Sequence, residues 1–129
     1  MKVIEITKTG KHQIDVPILP KKYQWSKGIY TIIFKGTKRK IGIFGTGKSG
    51  GYERFSSYRT VGQDISKVQG NGSYKTMKIL NEKLKVGEKA SVHFQKVPED
   101  RIINGIPYIV DLYKIERELQ EKSKNLWLK

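Results

Sequence analysis

The stretch Gly28 to Gly45, "GIYTIIFKGTKRKIGIFG", sets two runs of β-branched and aromatic residues on either side of the turn "KGTK". Such side chains fit a pleated, half-buried surface, and two runs about a glycine turn make an antiparallel hairpin. The fold must be built around this hairpin and must cover one of its faces. Period-two alternation leaves two choices of inward set, either Ile29, Thr31 and Ile33 or Tyr30, Ile32 and Phe34.

The remaining segments are read in the same way. "KVIEIT" and "HQIDVPI" alternate about Gly10, so residues 1–18 read as an N-terminal hairpin that ends at Pro17 and Pro20. "YERFSSYRTVG" reads as a third strand with a polar face, reached through the glycine-rich tip "GTGKSGG". "SYKTMKILNEKLKVG" spaces Met77, Leu80 and Leu84 as a helix does and stops at Gly87. "KASVHFQKV" and "GIPYIVDLYKI" are two more strands, and "ERELQEKSKNLWLK" is helix-compatible. The expected fold is mainly β, a small barrel of five to seven strands with one internal helix and a C-terminal segment suited to another. Residues 1–118 are expected to form one domain, and 119–129 a C-terminal tail or helix end whose Leu126, Trp127 and Leu128 offer a contact for a partner or a second copy.

Gly42-x-x-x-x-Gly47-Lys48-Ser49 satisfies the phosphate-binding loop pattern of nucleotide triphosphatases. That loop works because a helix starts at its Lys-Ser pair and aims its N-terminal dipole at the phosphates. Here Gly50 and Gly51 follow, each costing about 1 kcal/mol relative to alanine in a helix interior. Asp111, which ends the run "IPYIVD" where a magnesium-holding carboxylate would stand, belongs to an alternating segment that contains Pro107. Nucleotide hydrolysis is therefore not expected.

Charge narrows the class. Lys and Arg number 26 against 12 Asp and Glu, a formal net charge of +14. A domain this basic meets a polyanion. From Val16 to Tyr52 no acidic residue occurs, although the stretch holds Lys21, Lys22, Lys27, Lys35, Lys38, Arg39, Lys40 and Lys48. Aromatic residues crowd the same half, with Phe44, Tyr52, Phe55 and Tyr58 among basic neighbours that include Arg54 and Arg59. Bases stack on such rings while Lys and Arg hold the backbone, which is how single strands are bound with little sequence preference. The expected binding face is thus Lys35, Lys38, Arg39, Lys40 and Lys48 with Phe44, Tyr52, Arg54, Phe55, Tyr58 and Arg59. Single-stranded DNA is the favoured partner, with duplex DNA or RNA as alternatives. No cysteine is present, which excludes disulfides and thiolate metal sites. No signal peptide or membrane-length apolar run is read, so a cytoplasmic protein without membrane contact is expected.

From Gly28 to Ile115 the expected order is three strands, a helix and two strands, which resembles the OB-fold. That resemblance implies an oligonucleotide-binding face carrying Lys38, Lys40, Phe44, Arg54, Tyr58 and Arg59. "ITKTGKHQIDVPILPKKYQWSKGIYTIIF" is similar instead to AbrB-type swapped-hairpin transcription regulators. "ISKVQGNGSYKTMKILNEKLKVGEKASVHF" runs parallel to it, as in a tandem pseudo-dimer. This second resemblance implies duplex-DNA contacts from Lys8, Lys11, Lys21 and Lys22. A basic structural or partner-docking protein is a further alternative.

Catalysis has little support in the residues. His12 and His93 each stand alone, and neither a metal site nor a cofactor is expected. A nuclease is expected to cluster carboxylates beside a lysine around a metal-bound water. "VDLYK" misses the Asp-x-Lys spacing by one residue. The reading is a non-enzymatic nucleic-acid-binding protein.

Overall fold

The structure, a computed structural model, describes residues 1–24, 27–44, 51–98 and 100–128, with the backbone alone at 24, 44 and 51–54. Its elements run β1 (Lys2–Gly10), β2 (Gln13–Asp15), α1 (Lys21–Gln24), β3 (Gly28–Phe34), β4 (Thr37–Phe44), α2 (Gly51–Gly62), α3 (Gly72–Lys83), β5 (Lys89–Lys96), β6 (Arg101–Ile103), β7 (Ile106–Tyr108) and α4 (Leu112–Lys122). Five strands form one antiparallel sheet in the order β2-β1-β5-β3-β4, while β6 and β7 pair by themselves.

The mainly β expectation holds, but the larger sheet is open, with β2 and β4 as edges, and does not close into a barrel. One element moved the topology away from the OB order. Residues expected as its third strand form α2, so two helices separate β4 from β5. Phe55, Tyr58, Val61 and Ile65 recur at helical spacing and are all buried. Burial of that stripe outweighs the poor intrinsic propensity of "GYERFSSYRTVG". The proposed second half of the tandem repeat likewise enters through a loop and α3 where the first half has a hairpin.

The β3–β4 hairpin closes on Lys35 and Gly36, both at positive φ, in the geometry of a two-residue primed turn. Register slips by one between Ile32 and Ile33, leaving Arg39 as the extra residue of a bulge. Of the two candidate inward sets, Tyr30, Ile32 and Phe34 join the main core with residues of β1, β5, α2 and α3. Ile29 faces the other way with Ile41, where Leu112, Ile115 and Leu119 of α4 cover them. The sheet is thus layered by helices on both faces, and β3 is buried on both.

Residues 112–115, read from the sequence as strand, begin α4 instead. Asp111 caps it, its Oδ1 accepting from the Lys114 backbone N–H at 3.1 Å. The helix therefore crosses the expected division at residues 118–119. Among the described residues no helix is long and apolar enough to cross a membrane.

Candidate nucleic-acid interface and catalytic carboxylate

The chain uses β4, the exposed edge of the sheet, as a scaffold. The bulged Arg39 offers its carbonyl to the Trp127 backbone N–H at 2.7 Å, and the Ile41 carbonyl accepts from Gln120 Nε2 at 3.2 Å. Lys40 and Leu128 form a single parallel bridge. An edge strand with free backbone groups invites foreign pairing, and here the chain's own C-terminal segment occupies it.

The Leu126, Trp127 and Leu128 trio is consequently spent at home. Trp127 packs 5.9 Å from the Phe34 ring, with the Arg39 guanidinium 5.1 Å from its own centroid, and Leu126 joins the cluster beneath α4. All three are half-buried, so the expected oligomer contact through them is not available in this arrangement.

These contacts also hold α4 against β4. Gln120 of the helix reaches the Ile41 carbonyl, and after the helix residues 127–128 run parallel to β4 beside Arg39 and Lys40. Glu116 stands one helical turn before Gln120 on α4 and is half-buried. Glu116 and the three other described carboxylates of that degree of burial all have partners. Glu5 binds Lys2 at 2.7 Å, Asp64 accepts from Ser66, and Glu88 accepts from the Lys85 N–H at 2.7 Å.

Toward the Gly42 end of β4, two tyrosines meet. Tyr30 of β3 and Tyr58 of α2 place their hydroxyls 2.7 Å apart, with both residues buried. Phe55 sets its ring edge-on to each, with centroids 5.2 Å away. Gly42 pairs with Tyr30 across the hairpin, and a Cβ added there would lie 2.3 Å from the ring. The missing side chain lets Tyr30 lean over β4 and carry its hydroxyl toward the edge strand.

The residues expected on a binding face are dispersed by this arrangement. Phe55 and Tyr58 are fully buried and present no ring face to a base. Arg59 is half-buried and donates through Nε to the Val16 carbonyl at 3.0 Å, tying α2 to the chain after β2. Lys35 is exposed at the hairpin turn, 3.7 Å from Glu88. Lys48 lies outside the described residues, as do the side chains of Phe44, Tyr52 and Arg54; the Arg54 backbone stands one turn before Tyr58 on α2. On the alternative face, Lys8 donates to the Asn81 carbonyl at 2.6 Å, whereas Lys11, Lys21 and Lys22 are exposed.

Lys38, Arg39 and Lys40 do come together with other cations. A crevice bounded by Arg39, Lys40, Thr76, Ile79 and Trp127 joins the β4 edge to α3. Residues 65–81 contain no Asp or Glu, and Lys75 and Lys78 are exposed on α3. Two acid-free stretches distant in sequence thus adjoin in space, forming a positive surface between the β4 edge and α3. The sequence reading had only the first of them.

Among the described residues no three His, Asp or Glu side chains gather as a metal cluster.

No family model and no curated protein matches the chain. A solved structure does: that of a bacteriophage T4 EndoII variant with a glutamate replaced by alanine. Its TM-score is 0.62 at 19% identity, covering 98% of this chain and 88% of that one. The likeness is one of fold, and the protein that shares the fold is an endonuclease. The expectation of a non-enzymatic binder, with its regulator and docking alternatives, is corrected by this finding. That expectation rested on the absence of clustered carboxylates, a weak ground, because a magnesium ion is commonly held by one or two carboxylates with substrate phosphate and water completing the shell.

Proposed function

We propose that the chain is an endonuclease that hydrolyses phosphodiester bonds in nucleic acid, with Glu116 as its catalytic carboxylate. The observation that carries the reading is the fold shared with T4 EndoII, in which Glu116 stands half-buried on α4, the helix packed against the strand that bears Arg39 and Lys40.

Lys38, Arg39 and Lys40, with Lys75 and Lys78, hold the phosphate backbone and fix its register without reading bases. Glu116 would supply one anionic oxygen donor to a magnesium ion, a cation that one or two carboxylates can hold together with substrate phosphate and water. Such an ion, when bound, supplies Lewis-acid stabilisation of the phosphoryl oxygens. Water attacks phosphorus and loses a proton as the bond to the leaving sugar oxygen breaks, and that oxygen takes up a proton. The Tyr30–Tyr58 pair is a positioning element. It locks α2 against β3 across Gly42.

The test is cleavage of labelled duplex and single-stranded DNA, and of RNA, in magnesium or manganese. Wild type is expected to cleave at least one of them. Glu116→Gln should lose two orders of magnitude or more in rate while keeping its melting temperature and its affinity for the uncleaved strand. Glu121→Gln, on an exposed part of α4, should cleave like wild type. Absence of cleavage by wild type in either metal, or full activity in Glu116→Gln, would sink the proposal. Competition between the labelled strands decides strandedness, since burial of Phe55 and Tyr58 removes the stacking support for single strands.

A further inference from the structure

We propose that the β6–β7 hairpin is a self-association surface on which a second copy of the chain docks about a twofold axis. Six of the ten large hydrophobic side chains exposed among the described residues fall between positions 102 and 113: Ile102, Ile103, Ile106, Tyr108, Ile109 and Tyr113. Ile102 is 78% exposed and Ile109 72%. All six strand residues of the hairpin are exposed, on both of its faces. A two-stranded hairpin is marginal in water by itself, and exposed apolar patches rimmed by polar residues mark protein contacts.

The hairpin is nevertheless held in a defined pose. Asn104 and Gly105, both at positive φ, form its two-residue turn. At its base Asp100 accepts from the Val110 backbone N–H at 2.8 Å and from Lys27 Nζ at 3.0 Å. Register places Ile103 opposite Ile106 and Arg101 opposite Tyr108, so these four side chains share one face, and Ile102 and Pro107 share the other.

Charge selects the occupant. Residues 100–114 carry two basic side chains, Arg101 and Lys114, against two acidic ones, Asp100 and Asp111, in a chain of net charge +14. A polyanion gains nothing here, whereas two strongly positive copies can approach each other only where the local charge is balanced. One face presents Ile103, Ile106 and Tyr108 and the other Ile102, so a contact through one face buries less than the ~800 Å² that each partner brings to a standard interface, and the expected dimer is a weak one. Pro107 has no N–H, and its pairing with Ile102 turns that position to the outer edge of β7, so edge-to-edge strand addition is blocked on that side. Docking therefore uses side-chain faces, with an isologous arrangement in which each hairpin covers the other. The inference stands independently of the nuclease reading.

The test is sedimentation equilibrium and light scattering of the full chain across micromolar to submillimolar concentration. Wild type is expected to populate a dimer. Ile103→Glu with Ile106→Glu should be monomeric with an unchanged circular dichroism spectrum, because both side chains are exposed in the single copy. Tyr108→Lys is a second variant on the same face and should weaken association at least tenfold. A wild type that stays monomeric throughout, or variants that dimerise as wild type does, would overturn the proposal. So would a monomeric wild type whose hairpin variants lose DNA affinity, which would assign the hairpin to nucleic acid.

Discussion

The hydroxyls of Tyr30 and Tyr58 lie 2.7 Å apart in a buried site, joining the central hairpin to the helix that follows it. Removing one hydroxyl leaves its partner desolvated, so Tyr58→Phe should cost about 1–2 kcal/mol. A double-mutant cycle with Tyr30→Phe should return a coupling of at least ~0.5 kcal/mol by urea denaturation. Strict additivity would mean that the pair is no energetic unit.

Gly42 makes that pair geometrically admissible. Gly42→Ala would place a Cβ 2.3 Å from the Tyr30 ring and 2.4 Å from its hydroxyl oxygen. Overpacking of this kind costs about 1–3 kcal/mol or more. Tyr30→Leu in the same chain should recover part of the loss, so the double variant should melt above the temperature expected from the two single changes. No recovery would place the strain elsewhere.

Trp127→Ala should destabilise the fold by about 2 kcal/mol, because it removes half-buried contacts with Phe34 and Arg39. In a chain of this length that is a drop of several degrees in melting temperature. An unchanged melting curve would show that the backbone bonds to β4 alone hold the C-terminal segment.

His93 predicts an acid-side slope. Burial first, then the positive charges of the Met1 ammonium and Lys2, hold its pKa below the ordinary 6.5. The folded state thus takes up a proton less readily than the unfolded one. The stability this represents is complete above about pH 6.5 and is lost as pH falls from there through the lowered folded-state pKa. Melting temperatures between neutral and mildly acidic pH should fall less steeply for His93→Gln than for wild type. Parallel curves would assign the slope to other groups.

Much of the sheet could be read from sequence because alternation and turn chemistry agreed with burial. The β3–β4 hairpin, β5 and α3 all have that consistency, down to Asn71 capping α3 through the Tyr74 N–H at 2.8 Å. Misreading of α2 had a physical cause. Phe55, Tyr58 and Val61 fit a helical stripe, but short polar residues and glycines around them lower helix propensity, and only tertiary burial decides the case. α4 was obscured because Asp111 looks like the end of a strand when its capping bond is unseen. Glu116 followed from that error: its place beside β4 depends on bonds from Gln120 and Trp127 that cross some eighty residues of sequence, and periodicity does not contain them.

The strand order β2-β1-β5-β3-β4 also has a consequence for biosynthesis. β1 and β3 both pair with β5, which begins only at Lys89. On the ribosome the N-terminal hairpin and the β3–β4 hairpin emerge as separate pieces, each with an unpaired inner edge, and nothing made before β5 can join them. At ~5–20 residues per second the nascent chain carries those edges for several seconds. The long-range pairing that completes the sheet is the kind that slows folding. Chaperone demand for this protein should therefore be greatest just before β5 leaves the exit tunnel, and a translational pause there would prolong the exposure of two sticky hairpins.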